Sequence, residues 1–285
     1  MATVAELLLQ SKELQSVSDS ARLDAELLLC FCLDKDRSYL LAWPDAKVSS
    51  ECAQQFLQLI ERRIDGEPIA YIVGERGFWS LDLQVNPSTL IPRPETELLV
   101  EKTLDLMADV SRADILDLGT GTGAIALALA SEKKGWNIVA SDFQPQAVAL
   151  AGSNKSKYSL NNVTVIQSDW FDEFVDQSFD VIVSNPPYID PDDKHLENGD
   201  VRFEPKSALV ADNHGLADLE HIISNASTYL NNQGWLLLEH GYNQSDAVQA
   251  LLQEAGFSQI FTELDLAGWG RVTGGQFIEG VRGDE

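Results

Sequence analysis

The amino-acid sequence predicts an α/β protein in which a doubly wound, mostly parallel sheet follows a small N-terminal helical bundle and a connecting β-hairpin. Three observations carry that expectation. From "DILDLG" to "FDVIVSN", apolar runs of strand length alternate with helical patterns, the order in which parallel βαβ units are built. A glycine-rich turn, "LGTGTG", joins the first of these strands to an Ala-rich helical run. Before Ile64 the apolar residues recur at helical rather than strand spacing.

With 285 residues, 44% of them apolar, the chain can bury a substantial core in one large domain and a smaller one. Residues 1–72 read as the helical bundle: Phe56, Leu57, Ile60 and Ile64 share a helix face, and "SVSDS", "LDKD" and "WPDAK" separate the helices. Residues 73–92 read as a linker with the hairpin, where Gly74 and Gly77 punctuate and "FWSLDLQV" alternates apolar and polar residues. Residues 93–285 form the α/β domain. Two prolines and acidic residues open a helix at "LIPRPETELLVEKTLDLM". Strands at "DILDLG", "NIVASD", "VTVIQSD" and "FDVIVSN" then alternate with helices at "GAIALALASEKK" and "QAVALAGSNKSKY". The last third adds helices at "LADLEHIISNASTYL" and "QSDAVQALLQEAG" and strands at "GWLLLEHG", "SQIFTEL" and "GGQFIEGV".

Composition narrows the function classes. Against 20 Lys and Arg stand 45 Asp and Glu, a formal charge of −25, which repels the phosphate backbone on which nucleic-acid affinity rests. No stable nucleic-acid binding is expected; the acidic surface serves solubility in salt or attracts a basic macromolecule. Cys30, Cys32 and Cys52 have no metal-ligand spacing, and "LLLCFCL" reads as a buried helix in which Cys is a small hydrophobe. No metal is expected. No run approaches the roughly 20 apolar residues that span a bilayer, and the N-terminus lacks a basic start before an apolar stretch, so a cytoplasmic protein without membrane contact is expected.

The glycine-rich turn is the first candidate site. Gly119, Gly121 and Gly123, with Thr120 and Thr122 between them, lie between a strand and a helix, where glycines let a ligand approach the backbone and the helix start offers free amides. The next strand ends at Asp142, where an acid reaches ribose hydroxyls in nucleotide-binding sheets. Asp117 precedes the turn and the third glycine of a dinucleotide fingerprint is missing. An acid there suits a cationic ligand better than a pyrophosphate. "D-x-G-x-G-x-G" resembles the first motif of the seven-stranded Rossmann-like methyltransferases, which implies S-adenosyl-L-methionine, with Asp117 near its methionyl end, Asp142 on its ribose, and Asp169 or Trp170 beside its adenine. Ordinary core packing is the alternative for Trp170.

The second candidate is "SNPPYI", which follows the buried strand "FDVIV". Pro186 and Pro187 cannot continue a sheet and hold a rigid turn. An amide or exocyclic amine is a poor nucleophile because its lone pair is delocalised. Two acceptors aimed at its two N–H bonds draw the nitrogen towards tetrahedral geometry, and the Asn185 side-chain oxygen and the Pro186 carbonyl can be those acceptors. Tyr188 offers a flat face to a planar group. A structural turn is the alternative reading. This chemistry covers adenine, cytosine, guanine and glutamine nitrogens alike.

"GEPIAYIVGERGFW", "LIPRPETELLV", "ILDLGTGTGAIALALA", "SDWF", "FDVIVSNPPYI" and "FEPKSALVADNHGLADL", in this order behind a helical N-terminal region, resemble the PrmC/HemK family of protein-glutamine N5-methyltransferases from about Leu23 to Phe277. The resemblance implies methyl transfer from S-adenosyl-L-methionine, leaving S-adenosyl-L-homocysteine, to the glutamine of the Gly-Gly-Gln motif in class I peptide chain release factors. It implies a cofactor loop from Gly119 to Gly123, Asp142 on the ribose, Trp170 at the adenine, Asn185 at the methyl group, and Asn185 to Tyr188 around the substrate glutamine. The helical N-terminal region would then help to grip the protein substrate. "IPRPETE" favours release factors over a ribosomal protein as substrate; no catalytic role is assigned to Arg93, Glu95 or Glu97, which could instead place the hairpin. A nucleic-acid amino methyltransferase is the runner-up, and a cofactor-sensing protein on the same fold a non-enzymatic rival. Gly274-Gly275-Gln276 spells the substrate tripeptide inside the chain itself; it falls in an expected strand, and Gln276 is expected to stay unmethylated.

Overall fold

Helix α1 (Val4–Leu8) begins where Thr3 and Glu6 cap each other's backbone: Glu6 N donates to Thr3 Oγ1 at 3.1 Å and Thr3 N to Glu6 Oε2 at 2.7 Å, a capping box. In the computed structural model, which describes residues 1–280, a 3₁₀ stretch then leads to α2 (Ala21–Leu33), α3 (Arg37–Ala42), α4 (Ser50–Ile64) and α5 (Ile69–Val73). The expected interruptions fall between them. Asp36 and Ser49 cap α3 and α4 by accepting from Tyr39 N and Cys52 N. Leu7, Leu14, Leu28, Leu29, Phe56 and Ile60 make the apolar core, with Cys30, Cys32 and Cys52 packed at its edge as free thiols.

The described residues divide into two compact units. One is Met1–Glu75 together with Lys194–Phe203, and the other is residues 76–193 with the chain from Glu204 onward. Within the first, the Arg63 guanidinium is buried and meets Asp24 at 2.9 Å and Asp200 at 2.8 Å. This pair of bonds ties the returning segment to the helices.

The second unit opens with the hairpin, β1 (Glu75–Phe78) and β2 (Leu81–Gln84). Phe78, Leu81 and Leu83 are buried in a core shared with α6 (Glu97–Leu106). Glu97 accepts from Trp79 N at 2.7 Å; this acid of "IPRPETE" therefore places the hairpin, the structural alternative weighed for it. Seven further strands follow: β3 (Asp114–Leu118), β4 (Asn137–Asp142), β5 (Val163–Gln167), β6 (Phe179–Ser184), β7 (Leu230–Glu239), β8 (Ser258–Leu264) and β9 (Gly270–Gln276). They form one sheet in the order β5-β4-β3-β6-β7-β9-β8. The first five in that order run parallel, and β9 lies antiparallel between β7 and β8. Helices α7 (Ala124–Glu132), α8 (Pro145–Lys157), α9 (a short turn, Asp212–Gly215), α10 (Ala217–Ala226) and α11 (Ser245–Glu254) make the connections.

The continuous apolar runs of β3 and β6 have a simple cause. Ile115, Val181 and Val183 enter the core under α6 and α7, while Leu116, Leu118 and Ile182 enter the one under α10 and α11, so both faces of the central strands are covered. β7 begins four residues earlier than "GWLLLEHG" suggests, at its polar end: Leu230 already pairs with Phe179, and a bulge separates it from the Trp235 register. Strand order reverses between β3 and β6, whose ends Leu118 and Ser184 are register partners. Open α/β sheets bind ligands in the crevice outside such a reversal.

Gly274 and Gly275 lie inside β9, paired on one side with Leu237 and Leu236. A Cβ on Gly274 would come within 2.7 Å of the Phe261 ring, and one on Gly275 within 2.9 Å of Phe257. These glycines serve close packing. Gln276 donates to the Gln233 carbonyl at 2.9 Å and bonds Gln259.

Candidate active site

A cavity of about 250 Å³ opens at the carboxyl ends of β3, β4 and β6. One wall is the glycine turn. Gly119, Gly121 and Gly123 have φ of 68°, 56° and 85°, which only glycine adopts freely. The turn is anchored by Thr120 N donating to Ser141 O at 2.8 Å and Gly121 N to Asp142 Oδ2 at 2.9 Å. Asp142 also accepts from Gln144 N at 2.9 Å. Burial pushes its carboxyl upward, against those two backbone donors. Gly119, Thr120, Gly121, Thr122, Asp142, Asp169 and Trp170 all line this cavity.

Asp117 does not line it. The carboxylate lies beneath the turn, 1% exposed, with Oδ2 accepting from Thr120 Oγ1 at 2.6 Å and from Ala126 N at 3.2 Å. It thereby satisfies a free amide at the start of α7. Its Oδ1 is buried without a partner, and burial pushes the group up to about 7. Gly123 likewise sits behind the wall, capping α7 through its φ.

Trp170, at a positive φ of 43°, places Cζ3 3.8 Å from where a Gly119 Cβ would stand. Its ring therefore overhangs the turn. Phe143, 59% exposed, lines the same cavity directly after Asp142. An exposed aromatic after a ribose-type acid is a signal the sequence reading passed over; Thr89, Leu90 and Pro92 also line the cavity, with Thr89 Cβ 3.8 Å from where a Gly121 Cβ would stand.

The Asn-Pro-Pro-Tyr turn forms the far wall. Asn185 and Pro187 face the cavity, Pro186 is buried, and the Tyr188 ring packs against the core below. Asn185 Nδ2 donates to Thr96 Oγ1 at 3.1 Å. With its nitrogen held there, the Asn185 oxygen is the end left for a ligand. Tyr188 donates to Glu239 Oε1 at 3.2 Å, and burial drives its hydroxyl far above the usual phenol range. Thr96 and Glu239, neither chosen from sequence, are thus the partners of the motif. In "IPRPETE", Arg93 pairs with buried Glu204 at 2.7 Å and Thr96 alone reaches Asn185. Among the described residues no group of His, Cys, Asp or Glu is arranged to hold a metal ion, and no helix is long and apolar enough to cross a membrane.

These features suit S-adenosyl-L-methionine. The glycine cradle is open, an acid and two aromatics line one end, and an orphaned acid oxygen lies under the turn. The buried acids also set a pH dependence. Asp117 and Glu239 both stand at about 7, raised from 3.8 and 4.5, so the folded chain keeps two protons that the unfolded chain releases. Stability is full below about pH 4 and is lost as pH climbs towards 7, at roughly 1 kcal/mol per pH unit for each group. Asp117→Asn is expected to flatten the slope of unfolding free energy between pH 5 and 7; an unchanged slope in urea titrations would refute this.

Residues 6–74 match the PrmC N-terminal domain and residues 94–201 the methyltransferase small domain. The chain is 53% identical over 262 residues to the release factor glutamine methyltransferase of Aliivibrio fischeri, covering 92% of each chain. It is 48% identical to that of Escherichia coli, covering 92% of this chain and 94% of the relative. The 16S rRNA N2 G1207 methyltransferase of T. Thermophilus, solved with AdoMet and guanosine, shares the fold at a TM-score of 0.53 and 18% identity, over 71% of this chain and 49% of that one. With half of its residues shared along nearly the whole length, the chain belongs to the release factor glutamine methyltransferase family.

Proposed function

We propose that this protein transfers the methyl group of S-adenosyl-L-methionine to the side-chain amide nitrogen of the glutamine in the Gly-Gly-Gln motif of class I peptide chain release factors. The observation that carries the reading is the Asn185 amide, held through Nδ2 by Thr96 at the edge of the cavity that also contains the glycine turn. A nitrogen-methylating enzyme needs an acceptor facing its cofactor there, and a binding module does not.

The chain's own residues divide the work. Gly119 to Thr122 and the Asp142 carboxylate hold the cofactor, and the faces of Phe143 and Trp170 suit a purine. When bound, S-adenosyl-L-methionine supplies an electrophilic methyl group on a sulfonium. The Asn185 oxygen and the Pro186 carbonyl accept the two N–H bonds of the glutamine amide and so localise its lone pair. Pro186 and Pro187 fix the direction of these acceptors and present no competing donor. The carbon–nitrogen bond forms as the carbon–sulfur bond breaks, and the nitrogen then releases one proton to water. Most of the acceleration comes from holding two reactants in line.

The test is transfer of labelled methyl from S-adenosyl-L-methionine to purified release factor, large-subunit ribosomal protein, RNA and DNA. Label is expected on the release factor alone; label on nucleic acid or on the ribosomal protein would overturn the assignment. The chain's own Gly-Gly-Gln is a built-in control. Held in β9 between two strands, Gln276 should gain no methyl group when the enzyme is incubated with cofactor alone, as read by intact mass.

A further inference from the structure

The asparagine that meets the substrate amide has two chemically opposite ends. An Asn side chain turned by half a rotation would present an NH₂ donor to the cavity and repel the amide it should bind. What decides between the two orientations lies one layer away. β6 and β7 are parallel with Ser184 opposite Leu238, so the next residues, Asn185 and Glu239, are neighbours at the sheet's carboxyl edge. Glu239 is 1% exposed and Thr96 is 4% exposed. The Thr96 hydroxyl accepts from Asn185 Nδ2 and faces the Glu239 carboxyl, the acceptor beside it for its own proton. Tyr188 donates to the other side of the same carboxyl, while Glu239 Oε2 is buried without a hydrogen-bond partner.

We propose that Glu239 is the positioning residue for methyl transfer: as an acceptor beside Thr96 it turns the Thr96 hydroxyl so that it can only accept from Asn185, which leaves the Asn185 oxygen facing the substrate. This rests on the reading of Asn185 given above. Glu239 does not touch the substrate; it acts through Thr96 on Asn185 and, by its bond to Tyr188, steadies the end of the same turn.

The groups facing Glu239 are the Thr96 hydroxyl and Glu95 from the 3₁₀ turn that precedes α6, Tyr188 after β6, and Arg271 from β9. Burial raises Glu239 to about 7, opposed by Thr96, Tyr188 and Arg271 and reinforced by Glu95. A protonated carboxyl carries a donor and an ionised one accepts only. The acceptor role is therefore complete only as the proton leaves.

Glu239→Gln keeps the volume and removes the titration, and its amide can donate to Thr96. The turnover number of this variant on release factor should fall roughly 10- to 100-fold, the scale of a misoriented catalytic group, with KM for release factor and cofactor affinity near those of the parent and a melting temperature at neutral pH no lower than the parent's. Turnover of the parent should rise through about pH 7 and that of the variant should not. Thr96→Val should also lower turnover, and adding Glu239→Gln to it should cost nothing more, since both act through one hydroxyl. Unchanged turnover in Glu239→Gln, a pH profile that persists in it, or losses that multiply in the double variant would each overturn the proposal. The pH profile decides on its own if Thr96→Val does not fold. Parent enzyme and Asn185→Ala run in the same assay separate the two readings. If the parent leaves release factor unmethylated or Asn185→Ala is unimpaired, the proposed function has failed, whereas an active parent with an unaffected Glu239→Gln removes only this inference.

Discussion

Asn185→Ala should reduce turnover on release factor by roughly 10²- to 10³-fold while the protein folds and melts as before. The magnitude follows from removing one preorganised polar group aimed at charge that develops in the transition state. Here the charge is the positive charge growing on the amide nitrogen, and the group is an acceptor in place of the more familiar donor. The Asn185 side chain is half-buried and, among the described residues, its one side-chain bond is the 3.1 Å one from Nδ2 to Thr96. Truncation therefore frees a threonine hydroxyl at a cavity wall, which water can satisfy, and leaves the sheet intact. Cofactor affinity, measured by calorimetry, should change much less than turnover. A variant that retains turnover within a few-fold of the parent would refute the assignment of Asn185 as acceptor.

Arg63→Ala should have the largest effect on stability, about 3–5 kcal/mol, because it strands a buried charge. Arg63 is 7% exposed, and its guanidinium serves Asp24, itself 4% exposed, as well as Asp200 and the Glu67 carbonyl. After truncation Asp24 keeps only the bond from Ser20 Oγ at 2.8 Å. The loss should show as faster hydrogen exchange of α2 and α4 amides, by roughly two to four decades. The paired replacement Arg63→Met with Asp24→Asn, which removes both charges, should recover most of the loss. Exchange in Arg63→Ala that matches the parent would show that the pair contributes little.

Much of the fold was legible before any coordinates. The glycine turn and the Asn-Pro-Pro-Tyr turn announce themselves because local backbone geometry demands their residues: positive φ at Gly119, Gly121 and Gly123, and no sheet donor at Pro186 and Pro187. The alternating apolar runs likewise carried the parallel sheet. Asp117 shows where such reading ends. Its place before the turn was correct, yet whether its carboxylate faces the ligand or the helix start depends on which side of the loop Thr120 and Ala126 lie.

Local sequence by itself determined the elements, their order and the two turns that hold the chemistry, since each rests on contacts between near neighbours in the chain. Tertiary structure alone decided which groups complete them. Thr96 meets Asn185 across 89 residues and Asp200 meets Arg63 across 137. Glu239 becomes a partner of the motif only because β6 and β7 are paired with Ser184 beside Leu238. Burial, too, is a property of the assembled fold: Glu239 and Asp117 are ordinary acids in the sequence, and the removal of water around them in the folded core is what raises both towards neutral pH.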